Sequence, residues 1–249
     1  MPDLPRFYCP DIAADSLQLT GPEAHHAVHV LRLRPGARVE LFDGRGLVAM
    51  AEISSASRSA LAMSVQSRRT VQRIGPVVQL AFAVPKGKRL DWLLEKATEL
   101  GAAELRPVVF ERSVAGGDEL SEHKRDRWLG QCISAAKQSG LDLLPQIANV
   151  VTMEQYLRQR PAGLGLLGDL EADALSLRAA LAKSPGGATD TFAGQRIDIL
   201  IGPEGGVTPA ERSAALTAGM LPVRIGSTTL RVETAAIALL AAVMAWSQP

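Results

Sequence analysis

Two stretches of this chain place chemistry-bearing residues where a parallel sheet would present them. The first runs from Ile197 through an apolar segment into Gly202-Pro203-Glu204-Gly205-Gly206, a buried strand entering a glycine-rich turn. Glycine lets a ligand approach the backbone closely, and Glu204 adds a carboxylate at the sheet edge. Thr208, Pro209 and Glu211 then supply an N-cap, a proline at the first helical position and a capping glutamate. Ligands of open α/β sheets bind outside the carboxyl ends of strands, so this loop reads as a binding loop rather than a plain turn. The second stretch is Leu221 to Thr234. A short strand ends at Gly226, Ser227 to Arg231 form a polar loop, and Glu233 and Thr234 open an apolar helix. An arginine and a glutamate beside a helix N-terminus can fix an anion or shape a substrate pocket. The plainer reading, a surface ion pair, contributes little.

Other chemistry is weaker. Gly163 to Gly168 matches the dinucleotide fingerprint as a string, but it lies within a strand instead of opening a helix. An NAD-dependent oxidoreductase is therefore only an alternative. His25 and His29 stand one helical turn apart with no further ligand cluster attached, which favours an exposed pair over a metal site. Cys9 and Cys132 are too far apart for a disulfide framework and read as reduced, cytoplasmic packing thiols.

The net charge of the 249 residues is +1, yet its distribution is uneven. Ile53 to Leu90 contains no Asp or Glu, while Arg58, Arg68, Arg69, Arg73, Lys86, Lys88 and Arg89 fall inside it. Gathered bases suit a polyanion. Arg6, Arg32 and Arg34 join these (Arg58 aside) as candidate residues for binding one. The 47% apolar and 21% charged composition fits a globular protein. Ala235 to Trp246 is too short to span a bilayer, and the N-terminus has no apolar stretch behind a basic start, which argues against a signal peptide.

The elements that position these residues fall into two groups. Residues 1–72 read as a small β-rich unit. Its helix starts with a capping-box-like Thr20-Glu23, its strands run Arg38–Phe42, Leu47–Ile53 and Leu61–Val65, and Asp43-Gly44 turns the hairpin. Arg68 to Pro76 reads as a linker. From there to residue 249, strands and helices alternate. Val77–Val84, Leu105–Phe110, Leu164–Leu167, Ile197–Ile201 and Leu221–Ile225 are strands, with helices on Leu90–Leu100, Ser121–Ser139 and a short one opened by Thr152-Gln155. That rhythm predicts a mostly parallel α/β sheet with helices on both faces.

Ile201 to Gly206, followed by Leu230-Arg231-Val232-Glu233-Thr234-Ala235, resembles the paired signature of the RsmE family of SPOUT methyltransferases. Three further blocks, in the same order, carry the resemblance over nearly the whole chain. These are Val30-Leu31-Arg32 with Phe42-Asp43-Gly44, Lys86-Gly87-Lys88 with Glu95 to Gly101, and Gln138-Ser139-Gly140 with Pro145. The resemblance implies a PUA-like RNA-binding barrel over 1–72 and a trefoil-knotted SPOUT domain over 73–249. It implies methylation of N3 of a uridine in small-subunit (16S) ribosomal RNA by S-adenosylmethionine (SAM), by a homodimer without metal. The SAM pocket carries over onto Leu167 and Gly168, onto Ile201, Gly202, Glu204 and Gly205, and onto Ile225, Gly226 and Leu230. Arg231 would stabilise the uracil anion, and Glu204 or Glu233 would take its proton. Ser227 to Thr229 and Leu141 depart from the residues usual in the family. A non-catalytic RNA-binding protein is the alternative of another class, and the intact Gly202 to Gly206 loop argues against it.

Overall fold

Alternating apolar and polar residues fold the N-terminal segment into a five-stranded sheet. The computed structural model describes residues 4–114, 120–183 and 194–246. Strands β1 (Arg6–Tyr8), β2 (Ser16–Thr20), β3 (Arg38–Phe42), β4 (Leu47–Ala56) and β5 (Ala60–Thr70) lie in the order β1-β3-β4-β5-β2. The pair β1–β3 is parallel and the others are antiparallel. Each strand feeds one core, through Phe7, Leu19, Leu41, Ile53 and Met63 among others, so the sheet curls around a single apolar centre. The Asp43 carboxylate accepts the N–H groups of Arg45 and Leu47 at 2.7 and 3.0 Å, and Gly44 takes φ 73°. That is the hairpin turn the Asp-Gly pair predicts.

Two expectations for this segment fail. Arg68 to Thr70 are not linker; they pair with Leu47 to Ala49 as the end of β5. The outer half of that strand faces solvent on both sides, so its residues are polar and carry no apolar period. Nor does Thr20 form a capping box. Its side chain caps nothing, and the Glu23 carboxylate instead accepts from the Tyr8 N–H at 3.1 Å and from Lys137 at 2.9 Å. A carboxylate in a charge-assisted bond has little reason to return to its own helix start. Helix α1 (Gly21–His25) passes into a wider turn, where the Leu31 N–H reaches back five residues to the His26 carbonyl.

Lys137 belongs to a segment that packs with this sheet. The chain divides into one compact unit of Met1–Gln72 with Ala136–Leu144, and another of Arg73–Ala135 with Pro145–Pro249. Ala136 joins Phe42 and Val48 in a small cluster, and Asp142 pairs with Arg6 and Arg69 at 2.5 and 3.0 Å.

The second unit is an eight-stranded parallel sheet. Its strands are β6 (Val77–Ala83), β7 (Glu104–Val109), β8 (Gln146–Ile147), β9 (Val151–Thr152), β10 (Leu164–Gly168), β11 (Leu175–Ser176), β12 (Arg196–Ile201) and β13 (Met220–Arg224). They run β11-β13-β10-β12-β6-β7-β8, with β9 also beside β7. All pairs are parallel. β6 and β12, apolar and buried along nearly their whole length, form the centre. Helices α2 (Lys88–Glu99), α3 (Glu122–Ser139), α4 (Met153–Gln159), α5 (Leu177–Leu181), α6 (Pro209–Thr217) and α7 (Val232–Trp246) connect or cover the strands. α2 buries Leu90, Leu93, Leu94 and Ala97 along one face and stops at Gly101, φ 79°. α7 packs on β6, β12 and α2 through Ala236, Leu239, Leu240 and Val243. Capping boxes at Thr152-Gln155 and Thr208-Glu211 form as expected.

A charged cluster is buried within this sheet. Asp198, fully buried, sits 3.2 Å from Arg160 and 3.1 Å from Arg196. Burial pushes its carboxyl upward, and the two guanidiniums oppose that shift. Among the described residues no helix is long and apolar enough to cross a membrane.

Candidate active site

The carboxyl ends of β10, β12 and β13 converge on a cleft of about 250 Å³, nearer the size of a small-molecule site than of a macromolecular groove. β10 contributes Leu167 and Gly168 and runs on into Asp169. β12 contributes Ile201 and the loop Gly202 to Glu204, with Gly206 and Val207. β13 contributes Val223, then Ile225 and Thr228 to Leu230 beyond it, and α7 closes the floor with Val232, Ala235 and Leu239.

The loops after β10 and β12 are braced. Asp169 Oδ1 accepts the N–H groups of Leu170 and Glu171 at 2.7 and 3.1 Å. Its Oδ2 accepts from Arg212 Nε at 2.7 Å, and Arg212 also reaches Asp173 at 2.6 Å. The hydrogen bond to Asp169 is the chief cause holding the Arg212 guanidinium above its ordinary pKa. Gly206, at φ 76°, closes a tight turn by donating to the Pro203 carbonyl at 2.9 Å. Arg112 holds the Gly205 carbonyl at 3.1 Å. A Cβ on Gly202 would run into the Val207 side chain, so a larger residue here would force the loop or Val207 to shift.

Beyond the wall formed by Pro203, Glu204 and Val232 lies a second cleft of about 280 Å³. Ala83 to Lys86 after β6, Arg89 of α2, and Ser113 and Val114 after β7 complete it. Arg89 and Glu204 form an ion pair at its edge.

A family model for an RNA methyltransferase domain matches residues 73–244, and one for an RNA methyltransferase PUA domain matches residues 19–62. The ribosomal RNA small subunit methyltransferase E of Mycobacterium bovis is 33% identical over 94% of this chain and 87% of its own. The chain belongs to the ribosomal RNA small subunit methyltransferase E family. The Bacillus subtilis member is 29% identical, over 92% of this chain and 90% of its own. The crystal structure of the Neisseria gonorrhoeae member bound to S-adenosyl methionine is 28% identical, covers 96% of each chain and superposes with TM-score 0.81. A Legionella pneumophila methyltransferase in complex with SAM gives TM-score 0.85 at 28% identity over 97% of each chain.

In this family member the cleft gathers Leu167, Gly168, Ile201, Gly202, Glu204, Ile225 and Leu230, seven of the nine residues expected at the SAM pocket. Gly205 and Gly226 stand outside its lining. Gly205 lies against Arg112, and Gly226 turns the chain at φ 77°. Of the residues expected to be catalytic, Glu204 borders both clefts. Arg231 is exposed. Glu233 is only 7% exposed, lines neither cleft, and its Oε2 has no hydrogen-bond partner among the described residues.

The basic residues divide sharply. Arg6 lies 2.9 Å from Glu40 and over the Phe42 ring as well as against Asp142. Arg68 donates to the Ile12 and Ala14 carbonyls and to Asp15, and Arg69 to Asp142 and Glu40. Arg73 holds the Gly101 carbonyl, and burial lowers its pKa. These four are tied to the fold because each meets an acceptor the linear sequence cannot reveal. Arg68 and Arg69 are exposed all the same, as are Arg32, Arg34, Lys86 and Lys88, but these last four meet no acceptor among the described residues.

Thr228 and Thr229 lie in the Ile225 to Leu230 loop expected at the pocket, but sequence reasoning did not single out Asp169 or Arg212 as cleft residues. Asp169 directly follows the strand-ending Gly168, and Arg212 lies in the first turn of a capped helix. Those positions are the only local signal, and the bond between them spans 43 residues.

Proposed function

We propose that the chain methylates N3 of a uridine in small-subunit ribosomal RNA, with SAM as methyl donor. The observation that carries this reading is the cleft at the ends of β10, β12 and β13, in a chain that matches a SAM-bound relative over 96% of its length. The lining fits the donor. Ile201, Val223, Leu230 and Leu239 offer apolar surface for a purine, while Asp169, Glu171 and Glu204 offer negative charge to a cationic ligand. Arg212 meets two aspartates and Arg89 meets Glu204, so with Glu171 the acidic side chains still outnumber the cations paired to them. When bound, SAM supplies a methyl carbon on a positively charged sulfur that leaves with the bonding pair.

The residues of the chain orient and handle the proton. A uracil imide is a weak acid, so its N3 proton has to be accepted as the reaction proceeds. We assign that role to Glu204, which lines both clefts. Glu233 is a buried residue of the first turn of α7, and we assign it to the helix start. Arg231, exposed beside Leu230, is assigned to the RNA.

The N-terminal unit would grip RNA phosphates through Arg32 and Arg34. Arg32 holds φ 54°, a conformation rare for a side-chain-bearing residue, next to exposed Val30 and Leu31. The reading includes a cytoplasmic homodimer, a knotted catalytic segment, and domains meeting near residue 72. Nucleoside analysis of small-subunit RNA from a strain deleted for this chain tests the function. Loss of a single 3-methyluridine is expected, and an unchanged nucleoside profile would overturn it.

A further inference from the structure

We infer that the second cleft, lined by Lys86, Arg89, Ser113 and Glu204, receives the flipped-out target base, with Lys86 and Arg89 stabilising its deprotonated imide. The inference rests on the methyl-transfer reading above and adds where the acceptor sits. Sheet order places the two clefts side by side. β10, β12 and β13 end at the first cleft, while β6 and β7, the next strands along the same edge beyond β12, end at the second. The loop after β12 is their common wall, through Pro203 and Glu204. A group presented at that wall from one side meets whatever occupies the other.

The residues suit an acidic imide. Val84, Pro85 and Val114 give apolar sides for a planar ring, Ser113 adds a hydroxyl, and Lys86 and Arg89 bring two cations. Gly87, at φ 61°, turns the chain from β6 into α2, so Lys86 lies just before the helix start and Arg89 in its first turn. Arg89 is already paired with Glu204. When Glu204 accepts the N3 proton, its own charge is lost and the electron pair stays on the base, delocalised onto the flanking oxygens. Arg89 then exchanges one anion for another at the same place, and no unpaired charge is created. Extraction of a base from RNA into such a pocket is the general route to chemistry on a nucleobase.

The test uses the full-length protein and small ribosomal subunits from the deletion strain. Lys86→Ala should lower kcat by about 100-fold, the scale of losing one anion-stabilising donor, with SAM affinity by calorimetry at the wild-type value. On subunits whose RNA carries 5-fluorouracil, a more acidic imide, the penalty should shrink. RNA carrying 4-thiouracil at the target should photo-crosslink to the Val84–Arg89 and Ser113–Val114 peptides. Wild-type kcat in Lys86→Ala, an equal penalty on both RNAs, or crosslinks confined elsewhere would each overturn the assignment. A wild-type protein that binds no SAM would overturn the function itself, and this pocket with it.

Discussion

Arg212 on α6 binds Asp169, the residue that follows β10, at 2.7 Å. The same carboxylate holds the N–H groups of Leu170 and Glu171, so one arginine fixes the loop forming the acidic side of the cleft. Removing it leaves Asp169 in place but unanchored to α6. Arg212→Ala is expected to weaken SAM about tenfold, or about 1.4 kcal/mol, as read by calorimetry. Unchanged affinity would show that the loop holds its position without the bond.

Gly202 and Val207 should be coupled. A Cβ at 202 meets the Val207 side chain, so Gly202→Ala is expected to weaken SAM by displacing the loop. Val207→Ala in the same chain should recover part of the loss, with a coupling of about 0.5–3 kcal/mol in a double-mutant cycle. Additive effects would mean that the glycine is required by the ligand directly.

The Asp198 cluster should act on stability alone. Asp198→Ala leaves Arg160, whose side chain is 9% exposed, without its buried partner. Such a loss costs about 3–5 kcal/mol, measurable by urea denaturation. A change under about 1 kcal/mol, the scale of a surface pair, would mean that water reaches this site.

How far the sequence speaks for itself differs by element. Val77 to Ala83 and the Thr208-Glu211 box are legible because their signals are local, an unbroken apolar run and a four-residue cap. The glycine-rich loop after β12 is legible for the same reason. Strands β8, β9 and β11, two residues each, are too short to show a period. The end of β5 is hidden because a polar strand reads like a linker. Arg212 meeting Asp169, and Lys137 meeting Glu23 across 114 residues, depend on the finished fold. That is why the basic residues looked alike in sequence and divide into tethered and untethered sets in structure.

This division changes the expected RNA phenotype. Arg32→Ala with Arg34→Ala should flatten the slope of log affinity against log salt by about 0.7–0.9 for each phosphate no longer neutralised. Arg68→Ala, Arg69→Ala and Arg73→Ala should instead lower the melting temperature, because they remove internal bonds. A flattened slope from the second set with an unchanged melting temperature would reverse the assignment.

Cys132 is fully buried, and burial pushes its thiol from 9.0 up to about 11. The native thiol should resist alkylation at pH 8 and react only after unfolding. Between pH 9 and 11 the unfolded thiol loses its proton while the folded one keeps it. The folded state then binds more protons, so stability should fall as pH rises through that window. Cys132→Ser should lessen the fall. An undiminished slope would assign it to other groups.

The central claim is methyl transfer from SAM to uridine N3, and the most direct measurement is mass spectrometry of the labelled product. Small subunits from the deletion strain would be incubated with the purified chain and methyl-labelled SAM, then digested to nucleosides. Label is predicted in 3-methyluridine from one position of the small-subunit RNA. Label in any other nucleoside, or none despite bound SAM, would contradict the claim.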